Sequence, residues 1–227
     1  MEERRLIIAI DGPAGSGKST VARRVAQELG YTYVDTGAMY RAVAWKMLQA
    51  GLGVEEPEQV AALAQRTELQ FVEGGDGRQH VIVDGEDCTD AIRSPQVNAV
   101  VSPVSAIPAV RECLVARQRE MAAGGGVVME GRDIQTVVLP EADLKVFLEA
   151  SVQERARRRY EELRQVHPEV DFATVVQNIQ DRDARDSARE VAPLRPAPDA
   201  VVIDTDPLTA EEVVAQVVAL ARRMQGG

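Results

Sequence analysis

Apolar side chains follow two rhythms along this chain. Some form short unbroken runs that stop at glycine or aspartate; others return every three or four positions over longer stretches. Leu6–Ile10 is of the first kind and meets Asp11 and a Gly-Pro-Ala-Gly stretch, which predicts a buried strand followed by a loop. Lys18 to Leu29 has the helical rhythm, with Gly30 as its stop. Tyr33–Val34 reads as a second short strand ending at Asp35-Thr36-Gly37, and Ala38–Ala50 as a helix closing at Gly51. Pro57 opens another helix, with Glu58 in its first turn.

The strand–helix alternation breaks once. Leu69–Glu73, Gly74-Gly75-Asp76-Gly77 and Gln79–Asp84 predict a β-hairpin with a glycine-rich turn, hence a small inserted antiparallel subdomain. The alternation then resumes with a helix over Pro108–Ala123, strand Val127–Met129 leading into Glu130-Gly131-Arg132-Asp133, and strand Leu144–Leu148. Ser151-Val152-Gln153-Glu154 fits a capping box, predicting a helix to about Gln165; a second polar helix follows over about Asp171–Ala188. Strand Ala200–Ile203 and helix Glu211–Met224 end the chain. This order predicts an α/β fold, with a central parallel sheet flanked by helices on both faces.

Composition narrows the classes. The chain has 227 residues, 45% hydrophobic and 27% charged, which suits a globular domain with a substantial core. A net charge of −10 argues against a broad surface for nucleic acid or anionic membrane, though not against a local basic site. The cations are nearly all arginine; Lys18, Lys46 and Lys145 are the lysines. Arginine's planar fork suits bidentate contacts to phosphate. Cys88 and Cys113 form no metal or CxxC pattern and read as reduced thiols. No run approaches the ~20 apolar residues of a membrane span, and Leu6–Ile10 is too short for a signal-peptide core, so the expected location is the cytoplasm.

The strongest motif is Gly12-Pro13-Ala14-Gly15-Ser16-Gly17-Lys18-Ser19, which fits G-x-x-x-x-G-K-[ST] between the predicted first strand and helix. Such a loop wraps its amide groups around a polyphosphate, and the helix start adds its positive end. Lys18 would meet the outer phosphates and Ser19 a Mg²⁺ ion. The motif predicts nucleoside triphosphate binding without choosing among kinases, GTPases and motor ATPases.

Three further clusters point to a second anionic substrate. Arg41 lies one helical turn into the helix after Asp35-Thr36-Gly37, with Tyr40 beside it; alone it could be an exposed helix arginine. Arg132-Asp133 follows a strand end, where ligands bind in open parallel sheets, although a structural ion pair reads equally well. Arg182, Arg185, Asp186 and Arg189 share one helical face, as do Arg155, Arg158 and Arg159 upstream. By themselves such stripes read as solvated faces. Beside a phosphate loop they predict a helical lid over about residues 151–190 that closes over phosphates and excludes water.

Together these segments resemble the bacterial cytidylate kinases over essentially the whole chain. The carrying pieces are Ala9–Thr20, Asp35–Arg41, Gly131-Arg132-Asp133-Ile134, and Arg182–Arg189 followed by Val191-Ala192-Pro193-Leu194. The resemblance implies a single P-loop kinase domain over 1–227, with an insertion over about 37–105 that binds the monophosphate. It implies that Gly12 to Thr20 (Gly12, Pro13, Ala14, Gly15, Ser16, Gly17, Lys18, Ser19, Thr20) hold ATP with Mg²⁺. Arg41, Arg132 and Arg189 would hold the phosphate of CMP or dCMP, and Arg111 with Asp133 would read cytosine. Ser102, Arg182 and Asp186 would meet the sugar, Thr36 would be part of the base pocket, and Tyr40 would join the CMP-binding residues at the wall of the cleft. Arg158 would be the lid arginine for ATP, and Lys18, Arg132, Arg158 and Arg189 the catalytic charges. Gln135 stands where the family pattern has glycine, and Glu130 where aspartate is usual.

The implied reaction moves the γ-phosphoryl of ATP to an acceptor phosphate that is already anionic, so it needs no strong general base. His80 and His167 lie outside every motif and read as ordinary surface or loop residues. A monomer is expected, with no nucleic-acid or membrane partner. The competing readings are a kinase for UMP, AMP, shikimate or gluconate, and a regulatory protein that hydrolyses ATP slowly.

Overall fold

The computed structural model describes residues 4–75, 78–165, 168–188 and 192–226. In chain order it begins with β1 (Ile7–Asp11), α1 (Lys18–Leu29), β2 (Thr32–Asp35), α2 (Thr36–Gln49) and α3 (Pro57–Arg66). There follow β3 (Leu69–Glu73), β4 (Gln79–Val83), β5 (Glu86–Asp87), a 3₁₀ turn (Ala91–Arg93), α4 (Pro95–Ala106) and α5 (Pro108–Ala122). The chain continues through β6 (Val127–Gly131), a π-turn (Ile134–Val138), β7 (Leu144–Glu149), α6 (Val152–Arg164), α7 (Phe172–Ser187), β8 (Val201–Asp204) and α8 (Ala210–Gln225). These elements form two compact units, one comprising Asp35–Met121 and the other the segments on either side of it.

The first unit, made by those flanking segments, is built on a parallel sheet of order β2-β6-β1-β7-β8. β1 lies at its centre, with Ile8 opposite both Val128 and Leu144. A strand covered on both faces has no reason to alternate, which is why Leu6–Ile10 is an unbroken apolar run. α1 contributes Val21, Ala22 and Val25 and α8 contributes Val213, Val214, Val217 and Val218 to one core with Ile8, Ile10, Val146 and Leu148. Gly30 ends α1 in the left-handed conformation, its N–H returning to the carbonyls of Ala26 and Gln27. α6 and α7 form a helical hairpin with a small core of its own, Ala156, Val175 and Ile179. Tyr160 and Phe172 pack edge to face beside it, centroids 5.5 Å apart.

In the second unit β3, β4 and β5 make an antiparallel sheet, with Leu69 opposite Val83 and Val83 opposite Glu86. Val81 and Val83 pack with Ala38 and Ala42 of α2. The larger core of the unit joins α2, α3, α4 and α5 through Met39, Val43, Leu63, Val97, Val101, Val104 and Leu114. The expected hairpin is present and carries a third strand, β5.

Four details depart from the sequence reading. α2 begins at Thr36 rather than Ala38, because the Asp35 carboxylate caps it, accepting from Ala38 N–H at 2.9 Å. α4 is absent from that reading: Pro95 sits in the first turn, where proline is tolerated, but Pro103 lies inside the helix. There it removes a backbone hydrogen bond, a loss that the buried packing of Val97, Val101 and Val104 outweighs. The short π-turn is likewise an addition. The capping box at Ser151 is only half formed. Ser151 Oγ accepts from Glu154 N–H at 3.2 Å, but the Glu154 carboxylate turns to Arg157 and Arg158, while Asp206 accepts from Ser151 N–H at 3.0 Å.

Among the described residues no single helix is long and apolar enough to cross a membrane; α4 and α5 pass that test only as a pair bent by 92°. Their apolar side chains belong to the core of the second unit.

α8 carries a complete capping box, Thr209 with Glu212. Thr209→Ala is expected to lower stability by about 1 kcal/mol, and Thr209→Asp to hold it within a few tenths. Urea denaturation of the three proteins checks this.

Candidate functional site

The site in the first unit starts where β1 ends. Gly12 follows Asp11 directly, and a Cβ at Gly12 would collide with the carbonyl oxygen of Leu148 on the adjacent strand. Only glycine permits so close an approach of loop to sheet. The loop over residues 12–17 then delivers Lys18 into the first turn of α1, buried, with Nζ donating to Pro13 O at 3.0 Å. Ser16 Oγ is buried with no hydrogen-bond partner among the described residues. A buried hydroxyl left in that state fits a ligand oxygen, and the loop supplies the amides around it. Ser19 and Thr20 are exposed at the start of α1.

Asp11 carries no role in the motif itself, and the fold provides one. Its carboxylate, wholly buried, accepts from Ile134 N–H at 3.0 Å and Gln135 N–H at 2.9 Å. It thereby fixes the π-turn that directly follows Arg132-Asp133. Burial pushes its pKa up to about 6, against the lowering effect of the Gln135 and Ile134 amides.

The Arg132 side chain donates through Nε to Asp186 of α7 at 3.1 Å and through Nη1 to its neighbour's carbonyl, Gly131 O, at 3.1 Å. Arg182 Nε stands 4.0 Å from the same Asp186 carboxylate, whose side chain is 2% exposed. Arg132, Arg182 and Asp186 are thus brought together, and Asp133 is buried beside the turn. Arg189 and His167 lie outside the described residues.

Of the two arginine stripes only part faces inward. Arg158 donates to Glu154 Oε1 at 2.9 Å, Thr205 Oγ1 at 3.1 Å and Thr205 O at 2.9 Å, tying α6 to the loop after β8. Arg155, which has no individual role in the sequence reading, makes a bidentate pair with Asp183 of α7 at 3.0 and 2.6 Å. Arg159 pairs with Glu162 and Arg185 donates to Asp181 O, each on its own helix. Those two are surface residues, as their helical spacing to a partner allowed.

The two departures from the family pattern have partners. Tyr33 Oη donates to Glu130 Oε1 at 2.5 Å. Gln135, buried, donates to Val146 O at 3.3 Å and accepts from Ala197 N–H at 3.0 Å, joining the π-turn to β7 and to the segment before β8.

In the second unit Thr36 and Tyr40 are buried in α2, and the Arg111 guanidinium lies 5.9 Å from the Tyr40 ring centroid. Arg111 Nη1 donates to Ser105 O at 3.4 Å, and Ser105 Oγ donates to Ser102 O at 2.8 Å. Tyr40, Ser102 and Arg111 therefore belong to one local cluster. Arg41 Nη1 lies 3.0 Å from where a Cβ on Gly37 would stand, beside the capped start of α2. Arg93, not singled out from sequence, reaches the Asp35 carboxylate at 3.4 Å. His80 pairs with Asp87 at 2.7 Å on the small sheet.

The chain is similar to known proteins over most of its length. A family model described as cytidylate kinase matches residues 8–223. The cytidylate kinase of Pelotomaculum thermopropionicum is 53% identical over 212 residues, 93% of this chain and 94% of that protein. A bifunctional pantoate ligase/cytidylate kinase of a Synechococcus strain (JA-2-3B'a(2-13)) is 51% identical over 223 residues. That match takes in 97% of this chain, which spans 41% of the longer relative. Among solved structures, a shikimate kinase from Acinetobacter baumannii in complex with shikimate aligns over 97% of this chain and 95% of its own, at 16% identity and a TM-score of 0.50. At that identity the likeness is one of fold.

The raised pKa of Asp11 has a definite sign in stability. The folded state favours the protonated carboxyl, so its contribution is complete below pH 3.8 and is lost as pH rises toward 6. Asp11→Asn removes this titration. The melting temperature of the parent protein relative to Asp11→Asn is expected to fall between about pH 4 and about pH 6.5, read by thermal denaturation across that range.

Proposed function

Because the chain belongs to the cytidylate kinase family, we propose that it transfers the γ-phosphoryl of Mg-ATP to CMP or dCMP, yielding CDP or dCDP and ADP. The observation that carries this reading is the pairing, in one unit, of a phosphate loop with Arg132, Arg182 and Asp186 gathered beyond the end of β6.

In this reading residues 12–20 bind the triphosphate. The buried Ser16 hydroxyl and the loop amides meet phosphate oxygens, and Lys18 exchanges the Pro13 carbonyl for a phosphate. Ser19 offers an exposed hydroxyl, an oxygen donor of the type Mg²⁺ accepts. When bound, Mg²⁺ neutralises charge on the transferred phosphoryl. Arg158 supplies a further cation on the donor side, on release from Thr205.

The acceptor would be held by Arg41, Arg132 and Arg189 at its phosphate, by Ser102, Arg182 and Asp186 at its sugar, and by Thr36, Tyr40, Arg111 and Asp133 at its base. A carboxylate accepts from the exocyclic amino group of cytosine, and an arginine donates to its ring acceptors. Uracil has a carbonyl where cytosine has the amine and would oppose Asp133. The acceptor phosphate is its own nucleophile, so the protein's part is alignment and charge compensation. The two units would serve as core and monophosphate-binding insertion, and α6–α7 as the lid, in a monomeric enzyme that needs no nucleic acid or membrane.

Lys18→Ala is expected to lower kcat for CDP formation by about 10²-fold or more. Asp133→Ala is expected to reduce the preference for CMP over UMP by about ten- to a hundredfold. ADP release with CMP, dCMP, UMP, AMP and GMP, and chromatographic identification of the diphosphates, checks both; no diphosphate from any acceptor would sink the reading.

A further inference from the structure

We propose that Arg155 and Asp183 are positioning residues through which α7 couples the donor loop to the acceptor residues, so that a bound donor nucleotide tightens CMP binding. The proposal rests on the reading of function above and adds a link within that site.

Arg155 is 4% exposed, and its fork is committed on three sides. Nε donates to Ala150 O at 3.0 Å, where β7 gives way to α6. Nη1 donates to Ala14 O at 3.1 Å in the phosphate loop and to Asp183 Oδ1 at 3.0 Å; Nη2 donates to Asp183 Oδ2 at 2.6 Å. The backbone seals the same contact. A Cβ on Gly15, whose φ is +79°, would stand 3.1 Å from Arg155 Cβ and 3.2 Å from its carbonyl oxygen. The loop therefore packs against α6 without space for a side chain between them.

Peptide geometry gives this bond a consequence. In a trans peptide the carbonyl and the following N–H point in opposite directions. With Ala14 C=O turned to Arg155, the N–H of Gly15 is turned away from it, available to a phosphate. Arg155 thus sets the orientation of a loop amide as well as the place of the loop.

On α7, Asp183 and Asp186 are three residues apart and lie on neighbouring surface of one rigid helix. Asp183 holds Arg155, and through it the loop; Asp186 holds Arg132 and stands 4.0 Å from Arg182. The Asp186 carbonyl also accepts from Leu194 N–H at 3.0 Å, fastening the segment that follows the helix. A shift of the loop on binding ATP is carried by one helical turn to the residues assigned to CMP. Lysine could not replace Arg155 here, since one ammonium cannot span Ala150, Ala14 and both Asp183 oxygens.

The test is calorimetric binding of CMP to the full chain, alone and with saturating Mg²⁺ and a non-hydrolysable ATP analogue, for the parent, Asp183→Asn and Arg155→Lys. The parent is expected to bind CMP at least about fivefold more tightly with the analogue present. In both variants that factor is expected to fall below about twofold, with CMP affinity in the absence of analogue within about threefold of the parent. A merely structural pair would lower the melting temperature and leave the factor intact. Retention of the parent's factor in Asp183→Asn overturns the proposal, as does a parent factor of one, which needs no variant to fold. A parent protein that binds no CMP at all would overturn the functional reading instead.

Discussion

A carboxylate with no exposed surface sits at the end of the central strand, and the site of the first unit is arranged around it. Asp11 is the last residue of β1, the next residue opens the phosphate loop, and both oxygens of its side chain are taken by amides of the π-turn after Arg132-Asp133. A buried carboxylate is costly unless hydrogen-bonded, and two buried amides are costly unless accepted. Each removes the other's penalty, but only if the two strand ends keep one relative position. The parallel register of β1 on β6, Asp11 opposite Gly131, supplies that position. The donor loop and the Arg132-Asp133 segment thereby diverge from a common origin, which is what a transfer between two phosphates requires.

The residues that break the family pattern extend the same arrangement. A glycine at position 135 would leave its neighbours to hold the turn; the glutamine here reaches Val146 O on β7 and Ala197 N–H beyond α7. Glu130 has one methylene more than aspartate, and its carboxylate meets the Tyr33 hydroxyl on β2. Both changes lengthen a side chain and both give its polar end a partner within the first unit. Glu130 is a substitution of reach, while Gln135 adds an amide where glycine has no side chain.

What the sequence disclosed and what it withheld divide along a physical line. The phosphate loop, the apolar β1, the helix stop at Gly30 and the half-buried hairpin are local: each depends on residues a few positions apart, whose conformational or hydrophobic character is visible in one window. α4 was hidden because Pro95 and Pro103 look like breakers, although Val97, Val101 and Val104 already had helical spacing on its buried face. The work of Asp11 and Arg155 had no local sign. Ile134 lies 123 residues from Asp11 and Ala14 lies 141 from Arg155, and only the closure of the sheet brings them together. In the arginine stripes the period was readable, but not which members turn inward. Arg159 and Arg185 had acceptors on their own helix, and α6–α7 packing turned Arg155 toward the loop.

The same packing explains how a chain of net charge −10 can keep a concentrated basic site. Arginines gathered to meet phosphates repel one another when no phosphate is present. Here Asp186 faces both Arg132 and Arg182, so these two cations share a carboxylate before any ligand arrives. The pairs also fix the rotamers of long side chains that would otherwise lose freedom on binding. An incoming phosphate then competes for a fork already oriented, and the ordering that binding would otherwise require is done by folding. The cost falls on stability, since such buried pairs rarely outdo apolar packing of equal volume. Within the hairpin, Ala156, Val175 and Ile179 form the apolar contact of α6 with α7, Tyr160 and Phe172 pack beside it, and the Asp183–Arg155 pair adds a polar tie between the two helices. That balance suits a segment whose hold on the loop must be firm in geometry without being large in energy.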